Sequence, residues 1–159
     1  MKTCPPPGTY RYATDRVEGE GLRIGVTRHV PRGVSKGDWK KRGYFDLWLP
    51  LLSPSAELLK SYRDEKIIWS VFARRYRAEM KRPECRQVID LLATFSLTIP
   101  FSIGCFCEDE SHCHRSLLLP MILASRESLT PSSKFTTAAF ASPPCYLAEL
   151  GGVMDDLAH

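Results

Sequence analysis

The sequence predicts an α/β fold: a compact single-domain layer fold with a small, mostly parallel sheet flanked by helices. Two observations carry this. Strand-length segments at residues 22–27 and 98–105 are separated by three helical patterns, so the two strands are expected to lie side by side and parallel. A further helical pattern follows the second of them, giving the order strand, loop, helices, strand, loop, helix. With 159 residues, 43% apolar and 25% charged, the chain has the size and composition of one ordinary globular domain.

Residues 1–21, with Pro5-Pro6-Pro7 and charges that show no period, are expected to form a flexible N-terminal arm. Leu22-Arg23-Ile24-Gly25-Val26-Thr27 alternates apolar and polar residues, the pattern of a strand with one buried face. The loop after it is fixed by Pro31, Gly33 and Gly37 and carries Arg28, His29, Arg32 and Lys36. Residues 44–49 are aromatic and apolar enough for a short strand or a packed loop. Ser53-Pro54-Ser55 opens a helix that runs to about Arg63, serine supplying a capping oxygen. Trp69, Phe72, Ala73, Tyr76 and Met80 fall on one face of a second helix. A third starts near Pro83 and is expected to bury Val88, Leu91, Leu92 and Phe95. The strand at 98–105 tolerates Pro100 near its start. A last helix begins near His112 or Cys113 and buries Leu117, Leu118 and Met121, with Pro120 expected to kink or shorten it. The α/β domain is thus placed at 22–124, and a Ser/Thr/Pro-rich C-terminal extension, with at most one weak helix, at 125–159.

A net charge of +4 is too modest to announce nucleic-acid binding, but it suits a phosphate-bearing ligand. No stretch has the length of a signal peptide or a membrane span, so a cytoplasmic location and no membrane partner are expected. Six cysteines are then expected to be reduced, and need explaining as core fillers, metal ligands or reactive thiols.

The chemistry concentrates in residues 105–115, Cys-Phe-Cys-Glu-Asp-Glu-Ser-His-Cys-His-Arg, between the end of a buried strand and the start of a helix. In open α/β sheets ligands bind beyond the carboxyl ends of strands, near helix N-termini. The strand at 22–27 ends in cations, so parallel pairing would bring both loops to one sheet edge. Three readings follow. In the first, Cys107 or Cys113 is a nucleophile or redox thiol with His114 or His29 as base, while Arg28, His29, Arg32, Lys36 and Arg115 hold a small anion such as a nucleotide. In the second, Cys105, Cys107, Cys113 and His114 bind zinc or an iron–sulfur cluster. Against that stand the C-x-C spacing and the divergence of adjacent Cys113 and His114 on a helix. In the third, the cysteines simply pack as small hydrophobes.

Signatures of common enzymes are missing: there is no glycine-rich phosphate loop, no H-E-x-x-H and no G-x-S-x-G. Arg74, Arg75, Arg77, Lys81 and Arg82 could meet nucleic acid, although interleaved Glu79 and Glu84 favour a solvated face. Tyr44, Phe45, Trp48 and Trp69 could stack a base but suit a core better. Cys4, Cys85 and Cys145 are given no role, and the sequence leaves the oligomeric state open.

Several separated blocks resemble, in order, the domain of unknown function 488 family. They are residues 26–36 (Val-Thr-Arg-His-Val-Pro-Arg-Gly-Val-Ser-Lys), Leu47-Trp48-Leu49-Pro50 with Ser53-Pro54-Ser55, Phe72-Ala73-Arg74-Arg75-Tyr76, and Cys105-x-Cys107 followed by Cys113-His114-Arg115-Ser116-Leu117-Leu118. The resemblance covers residues 22–124 and implies an α/β domain with its site near the Cys-His-Arg block and the Pro-Arg-Gly loop. It implies no activity, because the family has none established. The related YeaO-like branch is read as lacking the cysteines, which weighs against a metal obligatory across the fold.

Overall fold

The computed structural model describes residues 4–129. Its sheet has four parallel strands: β1 (Gly8–Arg11), β2 (Leu22–Gly25), β3 (Leu47–Trp48) and β4 (Phe101–Cys105), in the spatial order β1-β4-β2-β3. The helices are α1 (Ala56–Arg63), α2 (Trp69–Glu79), α3 (Pro83–Phe95) and α4 (His114–Leu129). β2 and β4 are parallel neighbours, in register from Leu22 opposite Phe101 to Gly25 opposite Gly104.

The two faces of the sheet are covered differently. Ile24, Val26, Phe101 and Ile103 pack under the helices in the main core, with Phe72, Tyr76, Ile89, Leu118 and Ile122. The opposite face carries Arg23, Gly25, Ser102 and Gly104, and an aromatic cluster of Tyr10, Tyr12 and Phe45 lies on it. Glycine is needed at two points there. A Cβ at Gly104 would overlap the Tyr10 ring, and one at Gly25 the Tyr12 hydroxyl and the Phe45 ring. That second layer corrects the expectation of a half-exposed strand. Arg23 is wholly buried, donating to the carbonyls of Thr14, Gly43 and Asp15 and pairing with Glu20 at 2.7 Å.

The expected N-terminal arm is also corrected where it is described. Residues 8–11 form the β1 edge strand, held by Arg115 from α4 and continued by the Tyr12 N–H on the Cys105 carbonyl. Tyr10 and Tyr12 are buried at strand spacing, and their burial offsets the ordering of so short a strand.

The helices start where local chemistry favours it. Ser55 Oγ accepts from the Leu58 N–H, so the second serine of Ser-Pro-Ser is the cap. Pro83 occupies the first turn of α3, with Glu84 beside the N-terminal dipole. Leu91, expected in the core, is 64% exposed; Cys85, Ile89, Leu92 and Ala93 form the buried stripe instead. α4 is not shortened by Pro120 and continues to Leu129, because Leu117, Leu118, Ile122 and Ser125 are buried around that turn. The helix therefore crosses the boundary expected at 124, while Cys145 and the rest of the expected extension from residue 130 lie outside the described residues. Among the described residues no helix is long and apolar enough to cross a membrane.

Phe45 is buried, and Tyr44, Trp48 and Trp69 pack partly buried on the two cores, as their core reading required. Cys85 is a buried free thiol beside the Leu51 carbonyl. Arg74, Arg75 and Arg77 sit on the exposed side of α2.

Candidate cysteine–histidine site and cationic cleft

Parallel pairing of β2 and β4 brings the loops after both strands to one edge of the sheet. Phe101, Ile103 and Cys105 share the face turned toward the helices, so Cys105 ends β4 pointing at the start of α4. Val26, one residue past β2, donates its N–H to Gly104 and leaves its carbonyl for the His114 Nε2–H at 2.7 Å. Residues 106–113 are folded by their own contacts. Glu108 pairs with Arg11 at 2.6 Å, Glu110 accepts from the Thr9 hydroxyl, and Asp109 holds Ser111 and His112. Cys113 sits in the turn before α4, its N–H on the Glu110 carbonyl, so it is not constrained to helical divergence from His114.

The sequence-predicted thiols do come together. Cys105 Sγ lies 3.6 Å from Cys107 Sγ and 4.0 Å from His114 Nδ1, and Cys113 Sγ lies 3.9 Å from that same nitrogen. Cys105, Cys113 and His114 are buried, with their donor atoms all within 4.8 Å of one another, a grouping that could hold a metal ion. Cys107 is exposed at the outer side of the group. A single thiolate is favoured there. Hydrogen bonds from the Cys105 and then the Cys113 thiols lower the Cys107 pKa strongly, helped by the charge of Arg115. Cys105 and Cys113 are correspondingly raised. Burial lowers the pKa of His114, so its imidazole is neutral at physiological pH, with the proton on Nε2.

Cys105, Cys107 and His114 form one wall of a cleft of about 800 Å³. Arg28, His29 and Arg32 of the β2 loop line it, as do Lys60 and Arg63 of α1, against a single acid, Asp64. Thr27, Val30, Leu59 and Phe106 complete its uncharged walls. Two of the predicted anion-binding residues lie elsewhere. Arg115 is 2% exposed and donates to the carbonyls of Tyr10 and Cys107, clamping β1 and the cysteine loop onto α4. Lys36 borders a separate hollow with Trp39, Phe45 and Trp48. His114 lines the cleft as well, with Nε2 committed to Val26 and Nδ1 facing the thiols.

Sequence reasoning missed Lys60 and Arg63. Their spacing of three on α1, just after a block carrying the family resemblance, was the available signal. It also missed Thr27, whose hydroxyl is hydrogen-bonded to buried Tyr12 at 3.0 Å behind the cleft.

A parallel α/β protein with a cysteine–histidine cluster at the carboxyl end of its central strands is the class that this fold and site define. The chain belongs to the DUF488 family: residues 7–126 match the family described as the active DUF488-N3 subclade. It is also similar to the uncharacterized protein YeaO of Escherichia coli K12, 31% identical over 87 residues, covering 54% of this chain and 72% of that one. No solved structure matches it.

Proposed function

We propose that the cleft binds a small phosphate-bearing anion of nucleotide size and presents the Cys107 sulfur to it as the reactive group. The observation that carries this reading is the union of five basic side chains and an exposed thiol in one cleft. A volume near 800 Å³ lies within the range of small-molecule sites, about 300–1,000 Å³. Arg28 is oriented by its Nε–H on the Pro54 carbonyl at 2.9 Å, which leaves its terminal nitrogens for phosphate oxygens. Arg32, Lys60 and Arg63 are exposed along the cleft and add attraction for an anion. Phe106, 46% exposed, offers a flat apolar surface for the uncharged part of the ligand. The basic face of α2 contributes none of the cleft's lining.

Calorimetric titration with inorganic pyrophosphate tests the reading. Binding is expected to weaken about tenfold in Arg32→Ala or Arg63→Ala, equivalent to roughly 1.4 kcal/mol, and to fall with added salt. No detectable heat at millimolar pyrophosphate, or equal affinity in both variants, refutes it.

A further inference from the structure

We propose that Cys105, Cys113 and His114, completed by Cys107, form a binding site for a thiophilic divalent cation, with zinc(II) the best match. This goes beyond the cleft reading and is tested apart from it: none of the cleft's cations belongs to the donor set, and Cys107, which the two readings share, is here a metal-bound thiolate rather than a free one.

The donor spacing suits a zinc ion. A tetrahedral zinc ion with Zn–S near 2.3 Å and Zn–N near 2.0–2.1 Å has S···S edges of about 3.8 Å and S···N edges of about 3.6 Å. The chain presents 3.6 Å between Cys105 and Cys107, and 4.0 and 3.9 Å from His114 Nδ1 to Cys105 and Cys113. These three edges differ from the tetrahedral values by a few tenths of an ångström, while Cys107 stands outside the trio whose donor atoms all lie within 4.8 Å of one another. The compact trio is buried, and Cys107, on the exposed side, closes the fourth position by a side-chain movement toward it.

The imidazole is also set for a metal. Nε2 lies 2.7 Å from the Val26 carbonyl and must carry the ring proton, so Nδ1 turns a bare lone pair toward the sulfurs. A backbone carbonyl on the far nitrogen is the support that metal-bound histidines use to fix tautomer and ring orientation.

Charge favours the ion as well. Arg115 is buried and forms no ion pair among the described residues; its Nε has no hydrogen-bond partner there. A buried cation with no carboxylate partner favours negative charge on the sulfurs beside it. A divalent ion held by three thiolates and a neutral imidazole carries one net negative charge. It would lie beside the guanidinium that already holds the Cys107 carbonyl at 2.9 Å.

Donor chemistry selects the ion. Three sulfurs and one nitrogen suit zinc and other soft ions, and disfavour magnesium or calcium. The loop's acids do not compete, because Glu108, Asp109 and Glu110 are engaged by Arg11, His112 and Thr9.

The test uses the full chain, purified reduced and without chelator. Elemental analysis after zinc loading and desalting is expected to give one zinc per chain. Cobalt(II) substitution should give a thiolate-to-cobalt charge-transfer band together with the visible bands of a tetrahedral ion. Cys105→Ser and Cys113→Ser are expected to weaken zinc binding by about a hundredfold or more, and Cys107→Ser, exposed and safe for folding, by about tenfold. Cys4→Ser, Cys85→Ser and Arg32→Ala should leave metal binding unchanged, the last separating this proposal from the cleft reading. Three observations would each overturn it: substoichiometric zinc after loading, cobalt spectra without the charge-transfer band, or equal zinc affinity in Cys107→Ser. A Cys105–Cys107 disulfide in the reduced preparation would do so as well.

Discussion

Arginines around this sheet serve in two distinct settings. Arg23 and Arg115, 0% and 2% exposed, bind backbone carbonyls: Arg23 those of Thr14, Asp15 and Gly43, Arg115 those of Tyr10 and Cys107. Arg32 and Arg63 stand exposed around the cleft, with no carbonyl to serve among the described residues. The difference follows from what closes the chain. Strands as short as β1 and β3 satisfy few backbone groups by pairing, and the buried guanidiniums satisfy carbonyls that the ladder cannot reach. The rim arginines inherit the opposite role, since a cation with free donors at a strand-end cleft is available to an anion.

Removal of the buried set sharpens the comparison most. Arg23→Leu leaves the largely buried Glu20 with only Arg16, at 3.8 Å, and removes the side-chain donors to the carbonyls of Thr14, Asp15 and Gly43, so a loss of about 3–5 kcal/mol is expected in urea denaturation. Arg115→Leu leaves two carbonyls unsatisfied and frees β1 from α4, for about 2–4 kcal/mol. A loss under 1 kcal/mol in both variants would erase the distinction between the two settings.

The same contrast explains what could be read from the sequence. β2, β4 and the four helices were legible because periodicity reports burial over several residues. Cys105 and Cys113 were legible because a strand end and a helix start frame them. β1 was not, since four residues carry too little pattern, although Tyr10 and Tyr12 at alternating positions hinted at it. Arg23 read as a solvent-facing residue because its alternation gives no sign of the aromatic layer supplied by Tyr10, Tyr12 and residues 39–48. Arg115 read as an anion ligand because residue type says nothing of direction; its neighbours Tyr10 and Cys107 come from opposite ends of the domain.

Asp46 lies between the two settings, bridging Arg16 to the β2 backbone. Desolvation raises its pKa, but the Arg23 N–H at 2.9 Å and the two-pronged Arg16 contact at 2.8 Å outweigh that and leave it lowered. A depressed carboxyl contributes stability that is present above its unfolded pKa of about 3.9 and is lost as pH falls through the folded value. Asp46→Asn should therefore cost about 1–2 kcal/mol at pH 7 and flatten the acid limb of the stability curve below about pH 4. An unchanged acid limb would show that Asp46 does not carry this dependence.

The smallest effect on stability belongs to the rim. Arg32→Ala and Arg63→Ala remove exposed side chains that lie outside the buried networks, so each is expected to change unfolding free energy by no more than about 0.5 kcal/mol. Their effect should appear in pyrophosphate affinity instead. The pairing of measurements is what makes the comparison sharp, because a clamp loses stability when removed and a ligand contact loses binding. If Arg63→Ala lowered the unfolding midpoint as much as Arg115→Leu does, α1 would owe its position to that side chain. The rim would then belong with the clamps, and the cleft would have to draw its attraction for an anion from Arg28, His29, Arg32 and Lys60.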